Sequence, residues 1–211
     1  MLFRSIPLGH RPPTIVETPG PHIVCTLAGG DPVAPVEALF ASIRPLPRQR
    51  DMRVAVIVDL LLRRPFISVE DVMVALQTDA DGAEAALRAT VQCSVNGEAL
   101  IERYAEAWLL AAEVRQRVLE ARRQPWFADV MGYVSTRLED VQETVGRWCR
   151  AYGRVSTGDL MRLTSMSRGT AQKLLTMMAE RGDLQRVGAG RSTAYRLADS
   201  ASLSPSRQPA P

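Results

Sequence analysis

Arg168, Gln172 and Lys173 are the residues whose types and spacing come nearest to a recognisable chemistry. A guanidinium or an ammonium donates to guanine or phosphate, and a carboxamide can make a bidentate pair with adenine. Gly169 and Ser167 allow close backbone approach, and a helix N-terminus attracts phosphate. Thr170 and Thr176 add short hydroxyls, while Arg186, Arg191 and Arg196 cluster some residues further on. Thr157, Arg162 and Ser165 are further candidate phosphate contacts upstream. This chemistry belongs to double-stranded DNA binding, not to bond-making.

Other chemistries find little support. Cys25, Cys93 and Cys149 lack C-x-x-C spacing, which argues against a zinc site or disulfide framework and fits a reducing cytosol. The two histidines, His10 and His22, lie in the N-terminal segment, so no Ser/His/Asp or Cys/His set is credible. Gly188-Ala189-Gly190 is a hairpin turn and no nucleotide loop, since no Gly-Lys-Ser/Thr follows. Asp79 and Asp81 lack the glycine and the twelfth-position ligand of a calcium loop. The expectation is a non-enzyme without cofactor or metal.

The charge distribution agrees. The 211 residues carry a net charge of +3. Residues 137–197 hold 11 Lys+Arg against 6 Asp+Glu, a net of +5, whereas residues 1–136 hold 14 Arg against 16 acids, a net of −2. A basic C-terminal module implies an anionic partner. With 46% hydrophobic and 23% charged residues the composition is that of a globular protein. No apolar run approaches the roughly 18 residues of a membrane span.

The elements that must carry these side chains follow from periodicity. Leu138, Val141, Val145, Trp148 and Cys149 recur at helical spacing, and Gly153 stops that helix. Val155 is a strand stub, and Ser156 or Thr157 caps a short helix bearing Leu160 and Leu163. Thr164-Ser165-Met166 is a turn, and Ser167 caps a third helix. Ala171, Leu174, Leu175 and Met178 form its inward stripe. Gly182 follows as a C′ glycine. Leu184–Val187 and Thr193–Leu197 are strands, with Arg191 at the tip. This order of helix, stub, helix, turn, helix and hairpin is that of a winged helix-turn-helix.

Sliding the chain on itself by 88 residues reveals an internal repeat. Ile67-Ser68 falls on Val155-Ser156, Asp71 on Asp159, Ala83 on Ala171 and Leu87 on Leu175. The first copy has an apolar helix over 52–64, a stub at Phe66-Ile67, a Ser68-x-x-Asp71 capping box and a helix over about 80–91. Cys93–Val95 and Ala99–Tyr104 then flank Asn96-Gly97 as its hairpin. In this copy Ala80, Asp81, Glu84 and Ala85 replace Arg168, Gly169, Gln172 and Lys173, and Asp79 replaces Ser167. An acidic helix repels phosphate, so the first copy is expected to be a structural or dimerisation module.

The predicted fold class is mainly α with small hairpin wings, as two winged helix-turn-helix modules. The expected divisions are an extended N-terminal segment with one strand (1–35), the first module (36–105), a helical linker (106–136), the second module (137–198) and a disordered tail (199–211). Within them the first 22 residues read as irregular, with Ile23–Leu27 a lone strand needing a partner. Residues 109–123 read as a linking helix, and Trp126–Tyr152 as one long helix interrupted at Gly132. Trp108, Trp126 and Trp148 read as core and linker packing, and Met161, Met166, Met177 and Met178 as core filler.

The second module resembles winged-helix transcriptional regulators of the multiple-antibiotic-resistance (MarR) type. Val155-Ser156, Asp159-Leu160, Ser167, Thr170-Ala171, Leu174-Leu175, Gly182-Asp183-Leu184 and Gly188-x-Gly190-Arg191 carry the likeness. Over a wider span the chain resembles the C-terminal part of bacterial regulators related to Schlafen/AlbA-type and RecG-like ATP-binding proteins. There Pro13–Glu17 and His22–Leu27 resemble the last strands of the preceding domain, and Arg48-x-Arg50-Asp51-x-Arg53 the opening of the first winged module. The ATP-binding domain of those proteins has no counterpart here, which points to a short gene product or a fragment. The resemblance implies a cytoplasmic transcriptional regulator that binds double-stranded DNA. It names no small-molecule effector. A homodimer is expected because one third helix reads only a few base pairs and a two-fold partner doubles the footprint. The competing expectation is a non-enzymatic tandem winged-helix adaptor for other proteins.

Overall fold

A computed structural model describes residues 6–8, 14–18, 22–26, 34–120 and 138–198. The protein is mainly α-helical with short antiparallel hairpins, and it divides into two compact units, Met1–Val134 and Ser135–Pro211.

In the first unit, β1 (Thr14–Thr18) pairs antiparallel with β2 (His22–Thr26), Val16 lying opposite Val24. The expected lone strand therefore has a partner, and the N-terminal segment holds two strands where one was expected. Prolines on both sides of Thr14–Thr18 concealed the β-branched run Thr14-Ile15-Val16. After α1 (Ala34–Ser42) and β3 (Ile43–Arg44), α2 (Met52–Arg63) is buried on most of its circumference, from Val54 to Val58 and again at Leu61 and Leu62. Helices α3 (Val69–Leu76) and α4 (Ala80–Val91) pack on it through Val72, Ala83, Ala86 and Leu87.

The hairpin of this unit differs from expectation. Asn96 (φ 54°) and Gly97 (φ 89°) do form a tight turn, between β4 (Ser94–Val95) and β5 (Glu98–Ala99). That ribbon is short and adds to β3. The wing is instead β6 (Ile101–Tyr104) with β7 (Ala107–Leu110), turning at Ala105-Glu106. Ile67 locks onto it by exchanging two backbone hydrogen bonds with Trp108, 3.0 and 2.9 Å long. Residues 107–110 are thus strand, and the expected helical linker is corrected: α5 (Ala112–Glu120) starts only after Ala111. Leu109, Leu110, Val114 and Val118 fit a helical spacing as well as they fit a strand followed by a helix. Pairing with Ile101 and Ile67, which buries Ala107 and Leu109 completely, decides for the strand.

The second unit begins, among the described residues, with α6 (Leu138–Tyr152), which buries Val141, Thr144, Val145, Trp148 and Cys149. The earlier part of the long helix expected from Trp126 lies outside the described residues, as does the tail from residue 199. Gly153 (φ 77°) ends α6, its N–H donating to the Cys149 carbonyl at 2.7 Å. Then come β8 (Val155–Ser156), α7 (Thr157–Thr164), α8 (Arg168–Glu180), β9 (Leu184–Val187) and β10 (Ala194–Leu197). The sheet order is β8-β10-β9, with Tyr195 between Val155 and Arg186. Leu160, Leu163, Ala171, Leu175, Met178, Leu184 and Tyr195 close the core, and each large apolar side chain among them contributes about 1.5–3 kcal/mol on burial. Leu174, expected inward, is half-buried, as are Met161, Met166 and Met177.

The two copies share their local stereochemistry. Ser68 and Ser156 each accept from the third backbone N–H of their helix at 3.1 Å, and Asp71 and Asp159 return a bond to the cap N–H at 2.9 and 2.7 Å. Both short helices then end on a left-handed residue, Gln77 (φ 51°) and Ser165 (φ 57°), again 88 positions apart. Asp79 and Ser167 cap the third helices. The correspondence stops at the wing, where the 88-residue offset would set Leu184 on Asn96 but the first strand begins at Ile101.

Candidate nucleic-acid interface

Helix α8 owes its position to its apolar stripe. Ala171, Leu175 and Met178 face the core, so Arg168, Gly169, Thr170, Gln172, Lys173 and Thr176 are exposed. Its first turn holds no acidic residue, leaving the positive end of the helix dipole uncompensated beside Arg168. Arg168, Gln172, Lys173 and Thr176 make no hydrogen bond or ion pair with any described residue. Their polar groups are available to a partner.

A polar cleft of about 490 Å³ opens between α8, the start of α7 and the wing. It is lined by Thr157, Arg168, Gln172, Thr176 and Arg186 from the expected set, and by Ser156, Gly158, Met161, Gly190, Thr193 and Tyr195 in addition. Arg168, Gln172 and Thr176 lie four residues apart, which stacks them on one strip of the helix. Gly169 and Lys173 are exposed but do not line the cleft.

Strand alternation sorts the wing arginines. Arg186 is paired with Tyr195 and Gln185 with Arg196, and successive pairs face opposite sides of the ribbon. Arg186 therefore faces the cleft with Tyr195. Arg196 lies on the opposite side, where its guanidinium donates to Gln185 Oε1 at 2.8 and 2.5 Å. Arg186 keeps one long contact, to Thr193 Oγ1 at 3.4 Å. The Gly190–Ser192 turn forms the wing tip, held by Ser192 and Thr193 hydroxyls on the Ala189 and Gly190 carbonyls, 2.9 Å each. The Arg191 side chain, expected at this tip, lies outside what is described.

Four further expected residues also take part in local structure. Ser167 accepts from the Thr170 N–H at 3.3 Å, and its hydroxyl lies 2.9 Å from that of Thr170. Ser165 is the left-handed residue that closes α7. Arg162 is half-buried and already holds an interaction of its own. None of the four lines the cleft. Of the six additional lining residues, Ser156, Gly158 and Thr193 are polar or bare backbone positions that the sequence reading did not place at the site. The capping box placed Ser156 and Gly158 at a helix N-terminus, which was the available signal; Thr193 could be placed only with the wing folded.

In the first unit the equivalent helix cannot present such a surface. Asp79 is spent on the Gly82 N–H at 2.9 Å, and Glu84 pairs with Arg88 at 3.1 Å. Among the described residues no group of His, Cys, Asp and Glu could hold a metal ion, and no helix is long and apolar enough to cross a membrane.

Residues 34–120 match the model of a family of unknown function, DUF5635. Residues 136–198 match the C-terminal domain of the DIP2311-like transcriptional regulators. No curated protein matches the chain. Among solved structures, the crystal structure of the DIP2311 protein from Corynebacterium diphtheriae is 38% identical, with a TM-score of 0.84 over 93% of this chain and 35% of that one. The chain thus spans about a third of that relative's length. The mRNA-binding domain of elongation factor SelB from E. coli covers 70% of this chain and 97% of its own at 15% identity, but its TM-score of 0.24 is too low to carry weight. The C-terminal unit is a winged helix of the type found in DIP2311-like transcriptional regulators.

Proposed function

We propose that the protein is a non-enzymatic transcriptional regulator that binds double-stranded DNA, with α8 in the major groove and the wing against the neighbouring backbone. The observation that carries this reading is the cleft, where Arg168, Gln172 and Arg186 converge beside the N-termini of α7 and α8 with their donors largely unspent. A major groove about 12 Å wide admits one helix. The flanking cleft would take the sugar–phosphate strand between helix and wing, and Arg186 would meet it from the wing side. One helix reads only a short stretch, so two chains related by a two-fold axis would occupy half-sites about 34–36 Å apart. The acidic first module, unsuited to phosphate, would serve the pairing of chains. The setting is a bacterial cytoplasm, as for the regulators that the chain resembles.

The test is a fluorescence-anisotropy titration of a mixed-sequence duplex over about 50–200 mM salt. The chain should bind at low salt. Arg168→Ala with Lys173→Ala should weaken binding and flatten the dependence of log K on log salt by about 0.9 for each phosphate that is no longer neutralised. Absence of binding at low salt, or an unchanged double variant, would leave the adaptor reading in its place.

A further inference from the structure

We propose that α8 reads sequence through the single strip Arg168–Gln172–Thr176, with Gln172 selecting an adenine and Arg168 a guanine about two base pairs away, while Lys173 contacts phosphate only. This rests on the DNA-binding reading above and deepens it.

The strip is marked out twice. These three exposed residues of α8 also line the cleft shared with α7 and the wing, so they face the side on which all three elements can meet one duplex. They also make no hydrogen bond or ion pair among the described residues, whereas the same strip in the first copy, Ala80, Glu84 and Arg88, is closed by its own ion pair at 3.1 Å.

The chemistry then assigns bases. Gln172 is the only carboxamide on α8, and a carboxamide offers a donor and an acceptor in one plane, the complement of adenine N7 and N6. Arg168 presents two parallel donors, the complement of guanine O6 and N7. Four residues of helix rise about 6 Å, and successive base pairs are about 3.4 Å apart, so the two side chains reach positions about two steps apart. Gly169, with open space around the position of a side chain, leaves the backbone bare next to the strip. Lys173 lies off the strip and outside the cleft, and its ammonium is a point charge without the planar fork of Arg168, so it is assigned to phosphate.

The experiment selects duplexes from a random pool with the full chain and with its Gln172→Ala and Lys173→Ala variants. Both substituted positions are exposed, and thermal melts check that the variants fold. The wild-type chain should enrich a guanine and an adenine about two steps apart. Gln172→Ala should lose the adenine alone, with affinity for the selected site falling roughly 5- to 150-fold. Replacing that adenine by 7-deazaadenine should weaken the wild-type chain and leave Gln172→Ala unaffected. Lys173→Ala should weaken all sequences alike. An adenine preference that survives Gln172→Ala, or equal sensitivity of both proteins to 7-deazaadenine, overturns the assignment while DNA binding stands. Retention of no duplex by any of the proteins overturns both.

Discussion

The wing that places Arg186 depends on Gly188, and replacing that glycine by alanine tests the geometry directly. Gly188 has φ +77°, and a Cβ there would lie 2.6 Å from the Ser192 carbonyl oxygen and 3.3 Å from its carbon. The left-handed backbone costs an alanine about 1–2 kcal/mol. The clash is with backbone, so relieving it requires the wing tip to shift, at about 1–3 kcal/mol more by analogy with overpacked sites. Gly190 is the control: its φ is +60°, but nothing lies within 4 Å of its Cβ position, so Gly190→Ala bears the first cost alone. The strain reaches the core because β10 pairs with both β8 and β9 and buries Ala194 and Tyr195. For a domain of this size about 1 kcal/mol corresponds to about 4–8 °C, so Gly188→Ala, at about 2–5 kcal/mol in all, should lower the melting temperature of the C-terminal unit by on the order of 8–40 °C and Gly190→Ala by on the order of 4–16 °C. Calorimetry on the full chain reads the shift, and hydrogen exchange over residues 184–197 assigns it to the wing. Equal shifts for the two variants, or no shift for Gly188→Ala, would refute the geometry of this turn.

The capping boxes make a second test. Ser156→Ala should cost the C-terminal unit about 1 kcal/mol, within a range of about 0.5–2, and Ser68→Ala should do the same to the N-terminal unit, read by denaturant melts. An effect in only one copy would show that the matched cap bonds are not energetically equivalent. A third concerns Cys149, whose thiol is pushed up to about 11 by burial first and then by the negative charge of Asp159. Its folded value exceeds the ordinary 9.0, so its contribution is complete below about pH 9 and is lost as pH rises towards about 11. The stability of the wild-type chain relative to Cys149→Ala should fall across that window; a constant difference would contradict the buried thiol.

Much of the C-terminal unit was legible in the sequence because its signals are local. Ser156 and Asp159 sit three residues apart, and the cap they form needs only the first helical turn. Ser167 and Gly182 bracket α8 in the same way, and its inward stripe follows from helical periodicity at Ala171, Leu175 and Met178. The first unit misled where a local signal was genuine but incomplete. Asn96-Gly97 does turn the chain, yet the wing forms from strands further on, where β6 pairs with β7, Trp108 bridges to Ile67, and Ile101, Ala107 and Leu109 are buried. The candidate site divided along the same line. The exposure of Arg168, Gln172, Lys173 and Thr176 followed from periodicity, while the position of Arg196 away from the cleft and of Thr193 along it required the folded wing.

Residue type and spacing alone thus establish the helices shared by the two copies, their caps, the duplication at 88 residues and the contrast between an acidic and a basic copy. Each depends on side chains within a few positions of one another, or on a sum of charges that no folding alters. Strand partners, the sides of the wing on which Arg186 and Arg196 stand and the grouping of Arg168, Gln172 and Arg186 around one cleft belong to the folded chain. These depend on pairings between distant residues, and a shift of one residue in register would turn every wing side chain to the other face.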